Sequence, residues 1–281
     1  METSSKYFAS VLFMLCLSSM CFAQAARDEF GYNINSVRPI QDNSQLYRQT
    51  LWSRIDGREK QNKPLYAKGQ EITRVIIEAV KGGILRPFAN DSLNTRMSYE
   101  DFIAKLTIST EEEEVAGDFY GESDPWGTTE EDTLADKEPV SVNNEYFPKQ
   151  LFLLEIKEDL IFDKKRSRTY RDIQAISIMI PAEINPKGVD EVLATFSYKE
   201  LISNVFTNNS QAVWYNNGNE QQHRNLSEAF ELHLFASHLI KFSNAEDGYI
   251  QDLYGEDRGA VIASIQLVEG FVGLDTEMWE Y

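Results

Sequence analysis

Residues that could carry out catalysis or bind a metal are few and scattered along this chain. It has three histidines, His223, His233 and His238, and both of its cysteines, Cys16 and Cys21, lie near the N-terminus. His233 and His238 fall in a segment that we predict to be helical, where five residues of separation place them roughly 140° apart around the axis. They would then not share a face for a metal ion, and His238 would lie on the apolar stripe as a core residue.

Local motifs of the common enzyme classes are also missing. The sequence lacks the motifs of zinc peptidases, serine hydrolases, phosphate-binding loops and dinucleotide-binding folds. Acidic residues are abundant, with 45 Asp and Glu against 27 Lys and Arg and a net charge of −18. Two suitably spaced carboxylates can hydrolyse a glycoside, but no acid pair stands out by its context. We therefore predict no enzyme activity, no cofactor and no metal, with an exported binding module or carboxylate-based hydrolase as the alternative.

Basic residues concentrate in two places within this acidic chain. The first lies between Arg48 and Lys63, where five bases face two acids. Tyr47, Leu51 and Ile55 recur every four residues there, which predicts an amphipathic helix with Trp52 and Ile55 buried. The bases that we single out as a candidate interaction surface, called the first basic island below, are Arg54, Arg58, Lys60 and Lys63.

The second concentration of bases lies between two predicted strands. A turn over residues 163–168 joins them and carries Lys164, Lys165, Arg166 and Arg168, called the hairpin tip below. Charge runs are most often simply solvated faces. In a strongly acidic protein, however, basic patches are also the surfaces best suited to contact an acidic neighbour.

Residues 1–25 have the features of a secretory signal peptide, with an apolar run followed by small residues at Ala23 and Ala25. Removal after Ala25 would leave 256 residues without cysteine, so thiol chemistry and disulfides would play no part. No second run of 18 apolar residues is evident, which predicts no direct membrane span. The negative charge argues against binding nucleic acid or an anionic membrane surface.

The remaining chain divides by composition into three parts. Residues 26–110 form an N-terminal arm and a helical part, residues 111–145 are acidic, and residues 146–281 form an α+β core part, which we expect to pack with the N-terminal part as one unit. Residues 111–138 contain twelve acids and one base. Such composition predicts a disordered, solvated loop, with calcium binding or docking to a basic neighbour as alternatives.

The expected fold class is α+β, a small antiparallel sheet packed with several helices. Residues 150–162, with a dense apolar run, and residues 170–180 are predicted to be the two strands of a hairpin, and residues 192–196 would add a third strand. Helices are predicted over residues 70–81, 198–206, 226–242 and 259–272. A further helix is predicted to begin after Ser98, which would be its N-cap.

Several blocks, in order along most of the predicted mature chain, resemble the GldN/PorN family. They are Asn-Ser-Val-Arg-Pro-Ile from residue 35, Trp-x-Arg-Ile-Asp-x-Arg-Glu-Lys-x-Asn-x-Pro-Leu from residue 52, Ile-Lys-Glu-Asp from residue 156, Phe-Asp-Lys from residue 162, residues 168–178, and the terminal Met-Trp-Glu-Tyr. The acidic stretch matches no block of that family, so nothing functional is carried over to it.

That resemblance implies a periplasmic structural subunit of the type IX secretion and gliding machinery of Bacteroidetes. It implies self-association in a ring and binding to a GldK/PorK-like outer-membrane lipoprotein, which would hold the protein at the inner face of the outer membrane. Contact with the periplasmic part of a GldM/PorM-like motor subunit is the third implied interaction. We expect a role in protein secretion across the outer membrane.

We predict that export removes residues up to Ala23 or Ala25 and leaves an unlipidated N-terminus. Met20 precedes Cys21, whereas lipoprotein processing needs a small residue there. Intact-mass analysis of the exported protein should give the mass of the unmodified chain from residue 24 or 26. An acylated Cys21 would contradict this expectation.

Overall fold

The computed structural model describes residues 27–108, 145–255 and 258–279. The predicted signal peptide and the acidic stretch over residues 111–138 lie outside the described residues. A five-stranded antiparallel sheet in the order β4-β3-β2-β1-β7 dominates the fold, and β5 and β6 form a separate two-stranded sheet. The strands are β1 Gln45–Asp56, β2 Leu153–Asp163, β3 Arg168–Ile180, β4 Glu191–Ser197, β5 Val213–Trp214, β6 Arg224–Asn225 and β7 His238–Phe242.

Six helices accompany this sheet in the described residues. They are α1 Ile72–Lys81, α2 Tyr99–Leu106, α3 Tyr198–Glu200, α4 Leu226–Glu231, α5 Ile250–Tyr254 and α6 Arg258–Trp279. A π-helical turn, Leu201–Phe206, continues α3, and 3₁₀ turns span Asp42–Ser44, Lys63–Tyr66 and Glu220–Gln222. The class is α+β as predicted, but the expectation of a small three-stranded sheet is wrong. The sheet gains β1 and β7, both of which were predicted to be helical.

β1 replaces the predicted helix because its apolar spacing fits both structures. Residues four apart share a helix face, but they also share a strand face, since four is a multiple of the two-residue strand period. Leu51, Ser53 and Ile55 are buried on one face, whereas Trp52 lies on the other and is only partly buried. The prediction that Trp52 is a core anchor beside Ile55 is therefore wrong, and only Ile55 holds that position.

The predicted helix over residues 226–242 ends early. α4 stops at Glu231, and His233 adopts a left-handed backbone conformation with φ of +50°. The backbone N–H of Leu234 then donates to the carbonyl of Ala229, a bond typical of a helix that closes at its C-terminus. The chain turns back, and β7 pairs antiparallel with β1 from Leu51↔Phe242 to Arg54↔His238.

The central hairpin is confirmed. β2 and β3 pair from Leu153↔Met179 to Asp163↔Arg168, and β4 adds to the far side of β3. The predicted cap is confirmed as well, since the Ser98 hydroxyl accepts from the Asp101 backbone N–H at 3.1 Å. α1 ends where Gly83 takes a φ of +70°, as its Gly-Gly pair predicts.

Helices pack on one face of the sheet in two groups. The larger core joins Ile55, Leu154 and Ile176 of the sheet to α1, α2, the α3 turn and α4. A smaller cluster at the other end of the same strands joins Leu51, Leu160 and Leu239 to α5 and α6. The two clusters leave a groove between them.

Asn62 fastens the end of β1 to the segment that precedes β7. Its side chain is fully buried, and its Nδ2 donates to the carbonyls of Asp56 and Ala236, each at 2.9 Å. Its Oδ1 accepts from the Ala236 N–H at 2.8 Å. Pro64 and Leu65 that follow are buried too. The Asp-x-Arg-Glu-Lys-x-Asn-x-Pro-Leu block is therefore a structural joint between two neighbouring strands.

We predict that Asn62→Ala lowers the free energy of unfolding by about 2–4 kcal/mol, because it leaves buried backbone groups of Asp56 and Ala236 without partners. Urea denaturation of the purified protein measures this change. Gln61→Ala, at the exposed neighbouring position, should change stability by less than about 0.5 kcal/mol. Equal effects of the two substitutions would contradict the role of Asn62.

Candidate interaction surfaces

The hairpin tip is an exposed basic projection between β2 and β3. Buried Asp163 organises its turn by accepting from the Lys165 backbone N–H at 2.9 Å and from Arg166 Nη1 at 3.0 Å. The Lys164 N–H donates to the Ser44 carbonyl, which holds the tip against the start of β1. Within the described residues, no acidic side chain pairs with Lys164, Lys165 or Arg168, so three of the four predicted bases remain available.

The first basic island is different, since its two arginines are already paired. Arg54 contacts Asp190 at 2.7 Å, and Arg58 contacts Asp56 at 2.9 Å and Glu183 at 2.7 Å. The Arg58 guanidinium also lies 4.0 Å above the Phe152 ring.

The hydrogen bonds that Arg58 donates to Asp56 and Glu183 raise the pKa of its guanidinium above the ordinary value. The ion pairs of Arg54 and Arg58 join the end of β1 to the loop between β3 and β4.

Lys60 and Lys63 complete the first basic island and differ from its arginines. Both are exposed, and no acid among the described residues pairs with either. The structure therefore does not bring the eight candidate bases together as one kind of surface. Five of them have no ion-pair partner among the described residues: Lys60, Lys63, Lys164, Lys165 and Arg168.

Trp52 belongs to a polar arrangement on the sheet face opposite the core. Its Nε1 donates to Asp91 at 2.9 Å, and Lys157 Nζ contacts the same carboxylate at 3.1 Å. Lys241 lies 4.9 Å from the centre of the Trp52 ring. Burial would raise the pKa of Asp91, but the charge of Lys157 and these hydrogen bonds outweigh it and hold that pKa below its usual value. The strand pattern alone could not reveal this partnership, because Asp91 is distant in sequence.

The histidines do not occupy the positions predicted for them. His233 lies in the turn after α4, and its Nε2 is 3.0 Å from the buried Glu158, which also contacts Arg171 at 3.2 Å. His238 lies on β7 with 69% of its side chain exposed and pairs with Glu59 at 2.7 Å. The expectation that His238 is a core residue is therefore wrong, because the helix that would have buried it does not form.

Two further acids meet across β2 and β3, where Asp159 and Asp172 are directly opposed. Asp159 is fully buried, and its carboxylate accepts from Arg48 Nε and from the Thr50 hydroxyl, each at 2.7 Å. Burial raises the pKa of Asp172 to about 6, and the charge of Asp159 acts in the same direction. The carboxylate of Asp159 is thus held by its own hydrogen-bond partners. Asp172, the other member of the pair, is the acid whose pKa is raised.

A groove of about 920 Å³ crosses the helix-covered face of the sheet between the two apolar clusters. Glu158 and Leu160 contribute to its floor, Phe230 lines one side, and Phe271 of α6 lines another. Glu158 is engaged by Arg171 and His233. Among residues 27–108, 145–255 and 258–279, no group of three or more potential metal ligands is found.

The last helix, α6, is the most exposed apolar element of the described chain. Ala263 is buried, and Ala260, Leu267 and Phe271 pack beside it on the smaller cluster. Outside this packed row, α6 exposes further large apolar side chains: Val261, Ile262, Ile265, Val268 and Val272. By length and composition, the segment from Arg258 to Met278 could cross a membrane, and it is the one such helix in the described residues.

Comparison with known proteins gives one informative result. A family model described as gliding motility associated protein GldN matches residues 40–280. The match includes the whole five-stranded sheet and α6, and it confirms the resemblance inferred from the sequence blocks. A search of curated proteins gives no match.

We predict that Asp172→Asn stabilises the protein at pH 7.5 by up to about 3 kcal/mol and has little effect at pH 4. An acid whose folded pKa of about 6 exceeds its unfolded value of 3.8 costs stability as pH rises through this interval. Urea denaturation at pH 4, 5, 6 and 7.5 measures the difference, with Asp252→Asn on exposed α5 as the control. A difference that does not vary with pH would contradict the assignment.

Proposed function

Because the chain belongs to the GldN family of gliding motility associated proteins over residues 40–280, we propose that it is a structural subunit of a periplasmic ring complex. This complex is the type IX secretion and gliding machinery, and its role is protein secretion across the outer membrane. The proposed partners are a GldK/PorK-like outer-membrane lipoprotein and the periplasmic part of a GldM/PorM-like motor subunit. The lipoprotein would hold the subunit at the inner face of the outer membrane.

The observation that carries the contact part of this proposal is the hairpin tip. Three of its four bases, Lys164, Lys165 and Arg168, have no ion-pair partner among the described residues, although the whole chain has a net charge of −18. A protein this acidic repels acidic neighbours unless a basic surface lies at the contact. The tip also projects from the two best-paired strands of the sheet, so it presents its charges from a rigid base.

A structural role also agrees with the state of the buried acids. Glu158 and Asp159 are held by Arg171 and Arg48 of the same chain, which ties both carboxylates to the internal structure of the sheet. We therefore favour a non-catalytic subunit over a carboxylate-based hydrolase. Copurification of a tagged version of this chain with the lipoprotein and the motor subunit from solubilised envelopes tests the assembly. Recovery of the tagged chain alone would contradict it.

We predict that Lys164→Glu with Lys165→Glu lowers recovery of the lipoprotein about tenfold at low salt, because reversed charges repel an acidic contact surface. The effect should shrink as salt rises, since exposed charges are screened within about 10 Å at 0.1 M salt. Quantitative copurification over a salt series measures both effects.

The matched control is Lys68→Glu with Lys149→Glu, two exposed lysines outside both islands. It changes the net charge of the chain by the same amount. If the two double variants lose the lipoprotein equally, the hairpin tip is only a solvated turn. Circular dichroism melting of each variant checks that the isolated protein remains folded.

A further inference from the structure

The exposed face of α6 has the spacing of a helix–helix contact. Val261, Ile265, Val268 and Val272 follow one another at intervals of four, three and four residues, the repeat of a coiled-coil seam. Their exposed fractions are 57%, 53%, 39% and 61%. A contiguous apolar patch of this kind on a protein surface marks a site for a partner. We call these four residues the α6 seam.

The seam is not needed to hold α6 on its own protein. Ala260, Ala263, Leu267 and Phe271 do that from an adjacent face of the helix. Val268 and Val272 also border the groove beside Phe271, but more than a third of each seam residue is exposed in the described structure. The seam is therefore a second apolar face on a helix whose first face is already buried, and it needs an occupant of matching length.

A second copy of the same seam fits when the two helices run antiparallel. With the axis between Ile265 and Val268, Ile265 of one copy faces Val268 of the other, and Val261 faces Val272. All four residues are β-branched and of similar size, so the layers are evenly filled. The seam is thus complementary to itself about a two-fold axis, which is the requirement for an isologous contact.

Charge at the two ends of the seam supports the same register. Arg258 lies three residues before Val261, and Asp275 lies three residues after Val272. In the antiparallel register Arg258 of each copy therefore faces Asp275 of the other, which gives two ion pairs. A parallel pair would instead place Arg258 against Arg258 and Asp275 against Asp275.

We propose that α6 binds α6 of a second copy of this chain, antiparallel, through the α6 seam. The contact would extend for about 26 Å from Arg258 to Asp275. It is isologous, whereas closing a ring needs a heterologous contact, so it is an additional contact and does not depend on the proposed function. A bilayer is a poorer occupant, because Glu269 lies on the same exposed face and the chain is strongly acidic.

Sedimentation equilibrium of the full exported protein tests the proposal, with Ile265→Glu as the disrupting variant. We expect a wild-type dimer whose dissociation constant rises on the order of 100-fold in this variant, because an unpaired charge is buried in the contact. Gln266→Glu is the matched control, since it adds the same charge at the neighbouring exposed position off the seam. A monomeric wild type, or equal effects of the two variants, would overturn the proposal.

A charge exchange tests the antiparallel register. Arg258→Asp alone and Asp275→Arg alone should each weaken the dimer, since both ends of each pair then carry like charges. The double variant Arg258→Asp with Asp275→Arg should restore association, because in the antiparallel register an acid again faces a base at each end, whereas a parallel pair would keep like charges opposed. Asp275 also accepts a hydrogen bond from Thr169, but adding Arg258→Asp could not repair the loss of that internal bond. A double variant that associates no better than Asp275→Arg alone would overturn the register.

Other occupants give different results in the same experiments. A wild-type protein that stays monomeric but floats with phosphatidylcholine vesicles would assign the seam to a bilayer and overturn the proposal. A monomer that still copurifies with the lipoprotein would overturn this contact and leave the proposed function intact. A dimer that fails to copurify with the lipoprotein would support this contact and contradict the proposed function.

Discussion

The antiparallel pairing of β1 with both β2 and β7 is the interaction on which the rest of this structure depends. β1 lies next to two strands that are distant from it in sequence, and its buried residues, Leu51 and Ile55, reach the two apolar clusters separately. Since residues before and after the acidic stretch contribute to one sheet, its core cannot form until these distant segments meet. Asn62 then holds the end of β1 to the chain entering β7 with three hydrogen bonds.

Buried charge is the second constraint, and ion pairs across the sheet satisfy it. Glu158 is only 2% exposed and Asp159 is fully buried, a costly position for a carboxylate without a partner. Arg171 compensates the first, with the His233 ring 3.0 Å from the same carboxylate, and Arg48 compensates the second. Asp172 has no ion-pair partner among the described residues, and burial raises its pKa. In this protein, therefore, many basic side chains form ion pairs within the chain and are not available to a partner.

Local sequence signals predicted the elements whose stabilisation is local. The β2–β3 hairpin has clear strand runs on both sides of a polar turn, and α2 begins with a serine whose hydroxyl caps it. The sequence predicts a helix at β1 because residues four apart share a face in a helix and also in a strand. Only the side on which Trp52 lies distinguishes the two structures. The end of α4 carried no glycine or proline signal, since His233 takes the left-handed position itself.

The candidate surfaces also differ in whether local sequence or distant contacts determine them. Exposure of the hairpin tip follows from a polar turn between two strands, which the sequence predicts. The pairing of Arg54 with Asp190 and of Arg58 with Glu183 depends on tertiary contacts across more than a hundred residues, so no local pattern indicates it. The seam of α6 was visible as an apolar repeat, but whether that repeat faces the core or solvent is decided by which side packs on β7 and α5.

Two surfaces of opposite character thus remain for contacts once the internal pairs are formed. The hairpin tip offers charge, whose attraction is long-ranged at low salt and weakens as salt rises. The α6 seam offers apolar area, whose burial is insensitive to moderate salt and does not attract partners at a distance. An acidic protein of net charge −18 cannot bring two copies together by general attraction. Contact between copies therefore needs a local surface that is not acidic, and we propose the row on α6 for it.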